Sequence, residues 1–510
     1  MANYIMMQGT SSHVGKSILT TALCRIFHQE GKKVVPFKAQ NMALNSYVTR
    51  DGDEMGRAQV AQAEAAGLEP MVDMNPVLLK PTGNSCSQVV LMGKPIGNMS
   101  AKEYHQGYSL KAFSAVKEAL GRLDQSYDTI VIEGAGSPAE VNLKANDIVN
   151  MRVAKYLHAP VLLIADIDRG GALASLVGTL ELLDEEERAL VKGLVINKFR
   201  GDETLLTPAV DFLEKKTGKP VLGIIPHIDH MGIDDEDSVS LEEKQEVPAD
   251  GDLRIAVIRT PKISNFTDFD CLAGETDVSL YYVQDAASLG MPDLIMLPGS
   301  KNTTEDMLYL ESSGLADKIK AAAAAGTPVI GICGGYQMLG EEIRDPEHTE
   351  SEHDGVKGLG LLGLRTTFAA QKLTSQVRAR CEALGFMGQT ITAEGLRGYE
   401  IHMGQTDFTR AEDMHPLCIT ERANQACSKT EGTMGADGRV FGTYIHGIFD
   451  HDEFRRSLLN ALRLAKGLPA LKNTRNVYAE KQRSYDALAD TVRAHLDMEK
   501  LREIMGEAAE

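Results

Sequence analysis

A glycine-rich segment near the amino terminus has the pattern of a phosphate-binding loop. Residues 9–17 read GTSSHVGKS; a short apolar run at 4–7 precedes them, and apolar residues at helical spacing follow them. A strand, a glycine-rich turn and a helix in this order bring backbone N–H groups close to phosphate oxygens. The lysine of such a loop reaches the terminal phosphates, and the serine hydroxyl ligates Mg²⁺. The loop residues expected to bind a nucleotide are Gly9, Thr10, Gly15, Lys16 and Ser17.

Charged residues also follow two other apolar runs. Glu133 ends the run at 129–132 and precedes a glycine-rich turn, which places its carboxylate to bind Mg²⁺. Lys38 follows the run at 34–37, where it could neutralise a phosphate or a substrate carboxylate, or simply be solvated. Asp51, Asp53 and Glu54 lie close together in the sequence and form either part of a metal site or an exposed acidic turn.

Cys333 is the one cysteine of seven whose setting indicates a nucleophile. It follows the apolar run at 328–332 and begins the segment CGGYQML, so it lies on a predicted turn from a strand into a helix. Such a turn exposes the nucleophile, and the helix N-terminus favours the thiolate. The N–H of Gly334 can stabilise an oxyanion, and Gly299, in the segment LPGSK, is the natural second donor.

A thiolate nucleophile needs a base, and thirteen histidines compete for that role. His446 follows a β-rich run and precedes a turn, so its ring can point from a strand end toward Cys333. His402 is the alternative candidate for the base. Strand alternation places it on one face with Glu400, where the two could pair or contact a substrate. Whether His402 or Glu400 assists Cys333 and His446 stays open.

The elements that must position these residues are short apolar strands alternating with helical stretches. Near-continuous apolar strands of this kind are typical of parallel sheets covered on both faces. We therefore predict an α/β protein with doubly wound domains. The predicted strands are 34–37, 129–132, 160–164, 193–196, 221–225, 253–258, 293–297 and 328–332.

Composition narrows the class of protein. The chain has 510 residues, 43% of them hydrophobic and 25% charged, which excludes a disordered or collagen-like protein. Its net charge of −19 argues against nonspecific binding to nucleic acid or to an anionic membrane. No apolar run has the length of a transmembrane helix, and no signal peptide is evident. Seven scattered cysteines indicate a reduced protein in the cytoplasm.

A dense run of acidic residues at 234–252 marks a solvated linker between two domains, or less readily an acidic regulatory segment. A fresh strand begins at Leu253. From about Asn473 the sequence is charged and helix-forming. The predicted ranges are a nucleotide-binding domain at 1–235, the linker at 236–251, a thiol-bearing domain at 252–465 and a short C-terminal helical extension at 466–510.

The phosphate loop resembles that of the dethiobiotin synthetase branch of P-loop enzymes. Five residues, one more than usual, separate Gly9 from Gly15, as in that branch. The resemblance implies a P-loop NTPase-like parallel sheet that binds ATP with Mg²⁺. It also implies that Asn197, which precedes a lysine at a strand end, helps to recognise the base, and that Glu54 is a second metal-binding acid beside Ser17 and Glu133.

Three features resemble class I glutamine amidotransferases, which have a flavodoxin-like fold. They are the turn at Cys333, the PGS loop (residues 298–300) and a histidine late in the chain, His446. Those enzymes hydrolyse glutamine through a cysteinyl thioester and release ammonia. They usually have an acid two residues after the histidine; Ile448 occupies that position here. The cobyrinic and cobyric acid synthase branch shows the same departure, so the resemblance implies a Cys–His pair.

The two domains together resemble the cobyric acid synthase family over nearly the whole chain. The close alternative, cobyrinic acid a,c-diamide synthase, has the same two domains, but the sequence segments at 37–46 and 398–404 favour cobyric acid synthase. The segments that carry the resemblance are GTSSHVGKS (9–17), FKAQNMALNS (37–46), DGDEMGRAQ (51–59), IEGAGSPAE (132–140), DIDRGG (166–171), NKFRGD (197–202), PGSKNT (298–303) and GYEIHMG (398–404).

This resemblance implies amidation of the b, d, e and g carboxylates of adenosylcobyrinic acid a,c-diamide, driven by ATP and supplied with ammonia from glutamine. The implied partners are small molecules, with Mg²⁺ as the metal, no tightly bound organic cofactor, no nucleic acid or membrane, and a homo-oligomer as an option. Arg57, Arg169 and Arg200 are guesses for binding the corrin carboxylates.

Two other functions fit parts of the sequence. Some relatives of the N-terminal fold are switch or partitioning ATPases that act by binding partners, but such a switch needs no nucleophile like Cys333. An amidotransferase acting on a cell-wall precursor would share both domain types in outline.

Overall fold

The computed structural model describes residues 2–83, 85–228, 232, 251–472 and 475–507. The chain forms two compact units. The first comprises Met1–Met42, Met55–Asp234 and Tyr478–Glu510, and the second comprises Ala43–Glu54 and Asp235–Val477. The predicted acidic linker at 236–251 lies, except for Gly251, outside the described residues.

The described strands, in chain order, are β1 (Asn3–Gly9), β2 (Val34–Phe37), β3 (Gln40–Met42), β4 (Ser46–Val48), β5 (Glu54–Gly56), β6 (Val77–Gly83), β7 (Cys86–Leu91), β8 (Lys94–Ser100), β9 (Thr129–Glu133), β10 (Val161–Asp166), β11 (Val191–Phe199), β12 (Val221–Pro226), β13 (Leu253–Ile258), β14 (Ile263–Ser264), β15 (Val278–Val283), β16 (Leu294–Leu297), β17 (Gly299–Ser300), β18 (Val329–Ile332), β19 (Glu342–Arg344), β20 (Gly355–Lys357), β21 (Leu364–Phe386), β22 (Gln389–Phe408), β23 (Leu417–Arg422), β24 (Gln425–Glu431), β25 (Thr433–Met434) and β26 (Val440–Thr443).

The described α-helices are α1 (Lys16–Gln29), α2 (Arg57–Ala65), α3 (Ala101–Glu103), α4 (Ser109–Ser126), α5 (Met151–Leu157), α6 (Ala172–Leu182), α7 (Glu185–Leu190), α8 (Thr207–Thr217), α9 (Asp270–Ala273), α10 (Thr303–Ser312), α11 (Leu315–Ala324), α12 (Gly334–Leu339), α13 (Asp452–Ala465), α14 (Val477–His495) and α15 (Met498–Ile504). None of these helices is long and apolar enough to cross a bilayer.

The first unit is built on a six-stranded parallel sheet in the order β12-β11-β10-β1-β9-β2. Its central strands are buried on both faces, which is why they consist of aliphatic residues without alternation. The predicted strands of this region are confirmed, with ends that differ by a few residues. In a parallel sheet the carboxyl ends of the strands share one edge, and the phosphate loop begins there, directly after β1.

The two C-terminal helices belong to the first unit. Tyr485, Leu488 and Val492 on one face of α14 are buried in the core that also contains Leu23 and Phe27 of α1. The sequence predicts these helices as a terminal extension, and the helical structure is confirmed. Their apolar face is a structural part of the first unit, although more than 200 residues of chain separate them from its other elements.

The second unit has a six-stranded sheet in the order β15-β13-β16-β18-β26-β25, in which only β25 is antiparallel. The strands predicted at 253–258, 293–297 and 328–332 form its centre. Its carboxyl edge carries the turn into α12 after β18 and the segment after β26. Both predicted domains are thus α/β with parallel central sheets.

Each unit also contains a smaller sheet that the sequence analysis did not predict. In the first unit, β3, β6, β7 and β8 form a mixed sheet. In the second, the 23-residue strand β21 pairs with the 20-residue strand β22 and with β19 and β23. Most of the paired strands in these sheets are antiparallel with one solvated face, so their apolar residues are interrupted by polar ones and give a weaker signal.

Residues 43–54 are part of the second unit, although the residues before and after them in the chain lie in the first. The Tyr399 hydroxyl donates to Ser46 O at 3.1 Å, and Gln376 Nε2 donates to the Tyr47 hydroxyl at 2.8 Å. Thr374 Oγ1 donates to Gly52 O at 2.8 Å. This segment therefore packs on β21 and β22.

Truncation of the buried Leu488 side chain to alanine tests the role of α14. We expect Leu488→Ala to lower the free energy of unfolding by about 2–5 kcal/mol, because it leaves a cavity in the core of the first unit. Tyr478→Ala is the control, since Tyr478 is 74% exposed on the same helix and its truncation should cost little. Urea unfolding of the two variants would show equal stability if α14 did not contribute to that core.

Candidate active sites

The phosphate loop wraps around the first turn of α1. Gly15 precedes this helix in the left-handed region with φ 96°, a conformation that other residues adopt only with strain. Lys16 Nζ donates to Ser11 O at 2.9 Å and to Gly136 O at 3.3 Å, so its ammonium lies over the loop. The loop and the N-terminus of a 14-residue helix form the anion-binding arrangement that the sequence predicts.

Asn197 is placed against this loop by the neighbouring strands. It lies in β11, near the carboxyl edge of the sheet, and its Nδ2 donates to Val14 O at 2.7 Å. Lys198 Nζ donates to His13 O at 2.7 Å. A Cβ at Gly15 would collide with the Asn197 amide, so a glycine is required there for steric as well as conformational reasons.

Glu133 is at the centre of a buried polar cluster. Its Oε1 accepts from Lys38 Nζ at 2.7 Å and from Ser17 Oγ at 2.9 Å. Its Oε2 accepts from Gln62 Nε2 at 2.5 Å. Both Glu133 and Lys38 are buried, and such a pair is tolerated only when the charges are closely matched and hydrogen-bonded.

The structure therefore brings together Ser17, Lys38 and Glu133. A hydroxyl and a carboxylate are the oxygen ligands that Mg²⁺ prefers, so these residues fit a bound Mg²⁺ ion. Among the described residues, no group of three or more His, Cys, Asp or Glu side chains forms a ready-made metal site. Such a group is not required, because Mg²⁺ commonly uses one or two carboxylates together with substrate phosphates and water.

The structure places Glu54 in a different environment from Glu133. Glu54 belongs to the second unit, where it forms a buried ion pair with Lys372 Nζ at 2.5 Å. Asp51 and Asp53 belong to the same unit. The metal-binding role of Glu54 stays a prediction.

The three candidate corrin-binding arginines lie in the first unit. Arg169 and Arg200 have exposed side chains near Asp166 and Asp168, and Arg57 begins α2.

Cys333 lies on the predicted turn between β18 and α12. Its backbone has φ 52° and ψ −105°, a conformation that costs a non-glycine residue about 1–3 kcal/mol and is typical of functional sites. The turn needs small neighbours: a Cβ at Gly335 would overlap the Leu297 carbonyl, and one at Gly331 would lie 2.6 Å from Gly335. The thiol is buried, with Sγ 3.6 Å from Ile401 O.

The PGS loop lies beside this turn, as the sequence predicts. A Cβ at Gly334 would lie 2.7 Å from the Ser300 amide nitrogen, and one at Gly299 would lie 3.2 Å from His446 Cε1. Gly334 is the first residue of α12, where an N–H group has no acceptor within the helix. Gly299 is thus near His446. The backbone amide of Ser300 lies beside Gly334, although Ser300 was not predicted as a donor from the sequence.

His446 is brought to Cys333 by the pairing of β18 with β26, in which Ile332 lies opposite Thr443. Cys333 N donates to Thr443 O at 2.9 Å, so both residues leave the same edge of the sheet. The imidazole is buried and stacks on the Tyr399 ring at a centroid distance of 5.1 Å. The structure therefore brings the segments with Cys333 and His446 to one edge of the sheet, and their catalytic pairing stays a prediction.

A carboxylate that was not predicted from the sequence lies beside this histidine. Asp268 Oδ2 lies 2.6 Å from His446 Nδ1, and Asp268 Oδ1 accepts from Gly447 N at 2.9 Å. Asp268 comes from a turn after β14, 178 positions before His446. No local spacing could have found it; the only signal is that it lies in the segment on the carboxyl side of β13, a strand of the central sheet.

The surroundings of His446 favour the charged imidazolium. Burial alone lowers the pKa of the imidazole, but the Asp268 carboxylate and Cys333 outweigh it and raise the pKa of His446 to about 10. An imidazolium stabilises a neighbouring thiolate, and the thiolate is the reactive form of a cysteine nucleophile.

His402 and Glu400 lie on one face of β22, as strand alternation predicts. His402 Nε2 is 3.8 Å from Glu400 Oε1, its Nδ1 is 2.9 Å from Gly404 O, and its ring stacks on Tyr444. Burial raises the pKa of Glu400, but His402 and Arg422 outweigh it, so that the pKa is lowered. The recorded contacts of His402 are thus with Glu400, Gly404 and Tyr444, and whether His402 or Glu400 assists Cys333 stays open.

The first unit defines a P-loop nucleotide-binding domain, and the second has the Cys–His arrangement of a glutamine amidotransferase. Two family descriptions agree with this class: "CobQ/CobB/MinD/ParA nucleotide binding domain" matches residues 5–238, and "CobB/CobQ-like glutamine amidotransferase domain" matches residues 254–454.

Relatives that match the whole chain narrow the class. The cobyric acid synthase of Pelotomaculum thermopropionicum is 55% identical over 99% of this chain and 97% of its own length. Those of Moorella thermoacetica and Dehalococcoides mccartyi are 54% and 52% identical, over 99% of this chain and 98% and 99% of their own lengths. The chain belongs to the cobyric acid synthase family.

Substitution of Gly15 tests the phosphate loop. We expect Gly15→Ala to weaken ATP binding about tenfold or more, because a left-handed conformation costs alanine about 1–2 kcal/mol and its Cβ meets Asn197. Gly178→Ala is the control, since Gly178 lies within α6 and a Cβ there has open space. Equal affinities in titration calorimetry with ATP would contradict the assigned loop.

Proposed function

We propose that this chain amidates the b, d, e and g carboxylates of adenosylcobyrinic acid a,c-diamide to give adenosylcobyric acid, using ATP and glutamine. The observation that carries the proposal is that one chain contains both a phosphate loop with Glu133 and a Cys333–His446 pair, and matches cobyric acid synthases over 97–99% of their lengths. Cobyrinic acid a,c-diamide synthase has less support, because these full-length relatives have the other name.

The first unit makes the carboxylate electrophilic. A carboxylate oxygen of the corrinoid attacks the γ-phosphorus of ATP, which forms an acyl phosphate and releases ADP. Lys16 and Lys38 supply positive charge where the phosphates bind, and the N–H groups of the loop orient them. Ser17 and Glu133 would hold Mg²⁺, whose charge stabilises the phosphate oxygens when it is bound.

The second unit supplies ammonia. The Cys333 thiolate attacks the side-chain amide carbon of glutamine, and the oxyanion is stabilised by backbone N–H groups of Gly334 and the 299–300 segment. His446 gives its proton to the leaving ammonia and then takes one from the water that hydrolyses the thioester, which releases glutamate. Ammonia attacks the acyl phosphate and displaces phosphate, leaving an amide.

Local charges resolve the conflict between the acidic chain and its anionic substrates. The net charge is −19, but Lys16 and Lys38 are fixed at the carboxyl edge of the first sheet. Arg57, Arg169 and Arg200 remain candidates for binding the corrinoid carboxylates. All seven cysteines are free, which supports a cytoplasmic location. A homo-oligomer stays a prediction.

Removal of the thiol separates the two units functionally. We expect Cys333→Ser to reduce glutamine-dependent amidation at least about a thousandfold, because the nucleophile is lost, and to leave ammonia-dependent amidation intact. Cys381→Ser is the matched control, since Cys381 is also buried with its Sγ near a strand carbonyl, Ile391 O. Loss of both activities in a folded Cys333→Ser protein would contradict this division of labour.

Neutralisation of Glu133 has the complementary effect. We expect Glu133→Gln to reduce amidation about a hundredfold or more with either nitrogen source, because carboxylate activation by ATP is common to both. Glu140→Gln, at an exposed position in the same segment, should retain activity. Liquid chromatography of the corrinoid products measures both; a Glu133→Gln protein that still uses ammonia at the normal rate would exclude Glu133 from the ATP site.

A further inference from the structure

We propose that Asp268 is a positioning residue for His446 and replaces the acid that class I amidotransferases usually have two residues after the histidine. This inference rests on the glutamine hydrolysis proposed above. It turns an apparent Cys–His pair into a triad whose acid comes from a distant part of the chain. Ile448, which occupies the usual acid position, is buried among apolar residues and cannot serve.

Both oxygens of Asp268 are directed at the segment that carries the histidine. Oδ2 meets His446 Nδ1 at 2.6 Å, and Oδ1 meets the Gly447 amide at 2.9 Å. Asp268 is 4% exposed and His446 is 1% exposed, so solvent does not compete for these bonds. A two-point contact of this kind fixes the ring and its backbone together.

The turn that carries Asp268 is itself fixed. Phe266 and Phe269, on either side of it, are fully buried in the core of the second unit. Asn265 begins the turn in the left-handed region with φ 52°, and its Oδ1 accepts from Ser46 N at 2.9 Å. The carboxylate is therefore preorganised, and substitution at Asp268 need not move the backbone.

The chemical role follows from the two nitrogens of the imidazole. With Nδ1 hydrogen-bonded to Asp268, Nε2 is the ring nitrogen left to exchange a proton with Cys333. Asp268 thus selects the Nδ1–H tautomer when the ring is neutral and stabilises the imidazolium when the ring carries the second proton. Asp268 itself exchanges no proton; the proton that reaches ammonia comes from Nε2.

The alternative acid for this site is Glu400, which forms an ion pair with Arg422. Glu400 lies near His402, whose Nδ1 faces Gly404 O, and this histidine stacks on Tyr444. The titratable groups that face His446 are Asp268 on one side and Cys333 on the other, with the Tyr399 ring stacked against its plane. Asp268 is thus the carboxylate in position to act on His446.

The test compares Asp268→Asn and Asp268→Glu with Asp270→Asn, a substitution of the same type two residues away. We expect Asp268→Asn to lower kcat for glutamine hydrolysis about 10²- to 10⁴-fold with little change in KM for glutamine, because Asp268 does not touch the substrate. Asp268→Glu should recover part of kcat, and Asp270→Asn should keep the wild-type value.

The pH dependence of Cys333 alkylation by iodoacetamide distinguishes a positioning role from a merely structural one. A structural role alone would leave the pH midpoint of alkylation unchanged. Without the carboxylate the imidazolium is less stable, so the pH midpoint of alkylation in Asp268→Asn should rise by about one unit or more relative to wild type. An unchanged kcat or an unchanged midpoint in Asp268→Asn would overturn the positioning role. Failure of wild type to hydrolyse glutamine would instead overturn the proposed function, which keeps the two failures distinct.

Discussion

Both candidate active sites depend on one constraint, which is that the strands of a parallel sheet end at the same edge. In the first unit this edge gathers the phosphate loop after β1, Glu133 at the end of β9 and Lys38 after β2. In the second it gathers Cys333 after β18 and the segment with His446 after β26. Residues that are far apart in the chain therefore meet without any long loop to hold them, because each chemical group lies at or shortly after the end of a strand.

Buried charges at these edges are held in matched pairs. Glu133 with Lys38 in the first unit and Asp268 with His446 in the second are all nearly inaccessible to solvent. Removal of one partner of such a pair leaves an uncompensated buried charge, which commonly costs about 3–5 kcal/mol. The same low-dielectric surroundings strengthen each electrostatic interaction, so the pairing that the fold requires also prepares the groups for catalysis.

The sequence predicted the parallel sheets and most of the candidate site residues because these signals are local. Apolar runs such as 253–258 coincide with observed strands, and Cys333 has its glycine neighbours beside it in the chain. The residues that escaped prediction depend on contacts between distant segments. Asp268 approaches His446 from 178 positions away, Glu54 pairs with Lys372, and the long β21–β22 ladder has too mixed a pattern to be recognised. The packing of α14 within the first unit is of the same kind.

In the proposed reaction, ATP activates a corrinoid carboxylate as an acyl phosphate, which then receives nitrogen from glutamine hydrolysed at Cys333. The most direct measurement is isotope transfer in one reaction that contains ¹⁸O-labelled corrinoid a,c-diamide carboxylates, ATP and glutamine labelled with ¹⁵N in its side-chain amide. We expect one ¹⁸O atom in the inorganic phosphate for each amide formed, and ¹⁵N in that amide. Unlabelled phosphate, or ¹⁸O in AMP, would rule out the acyl phosphate.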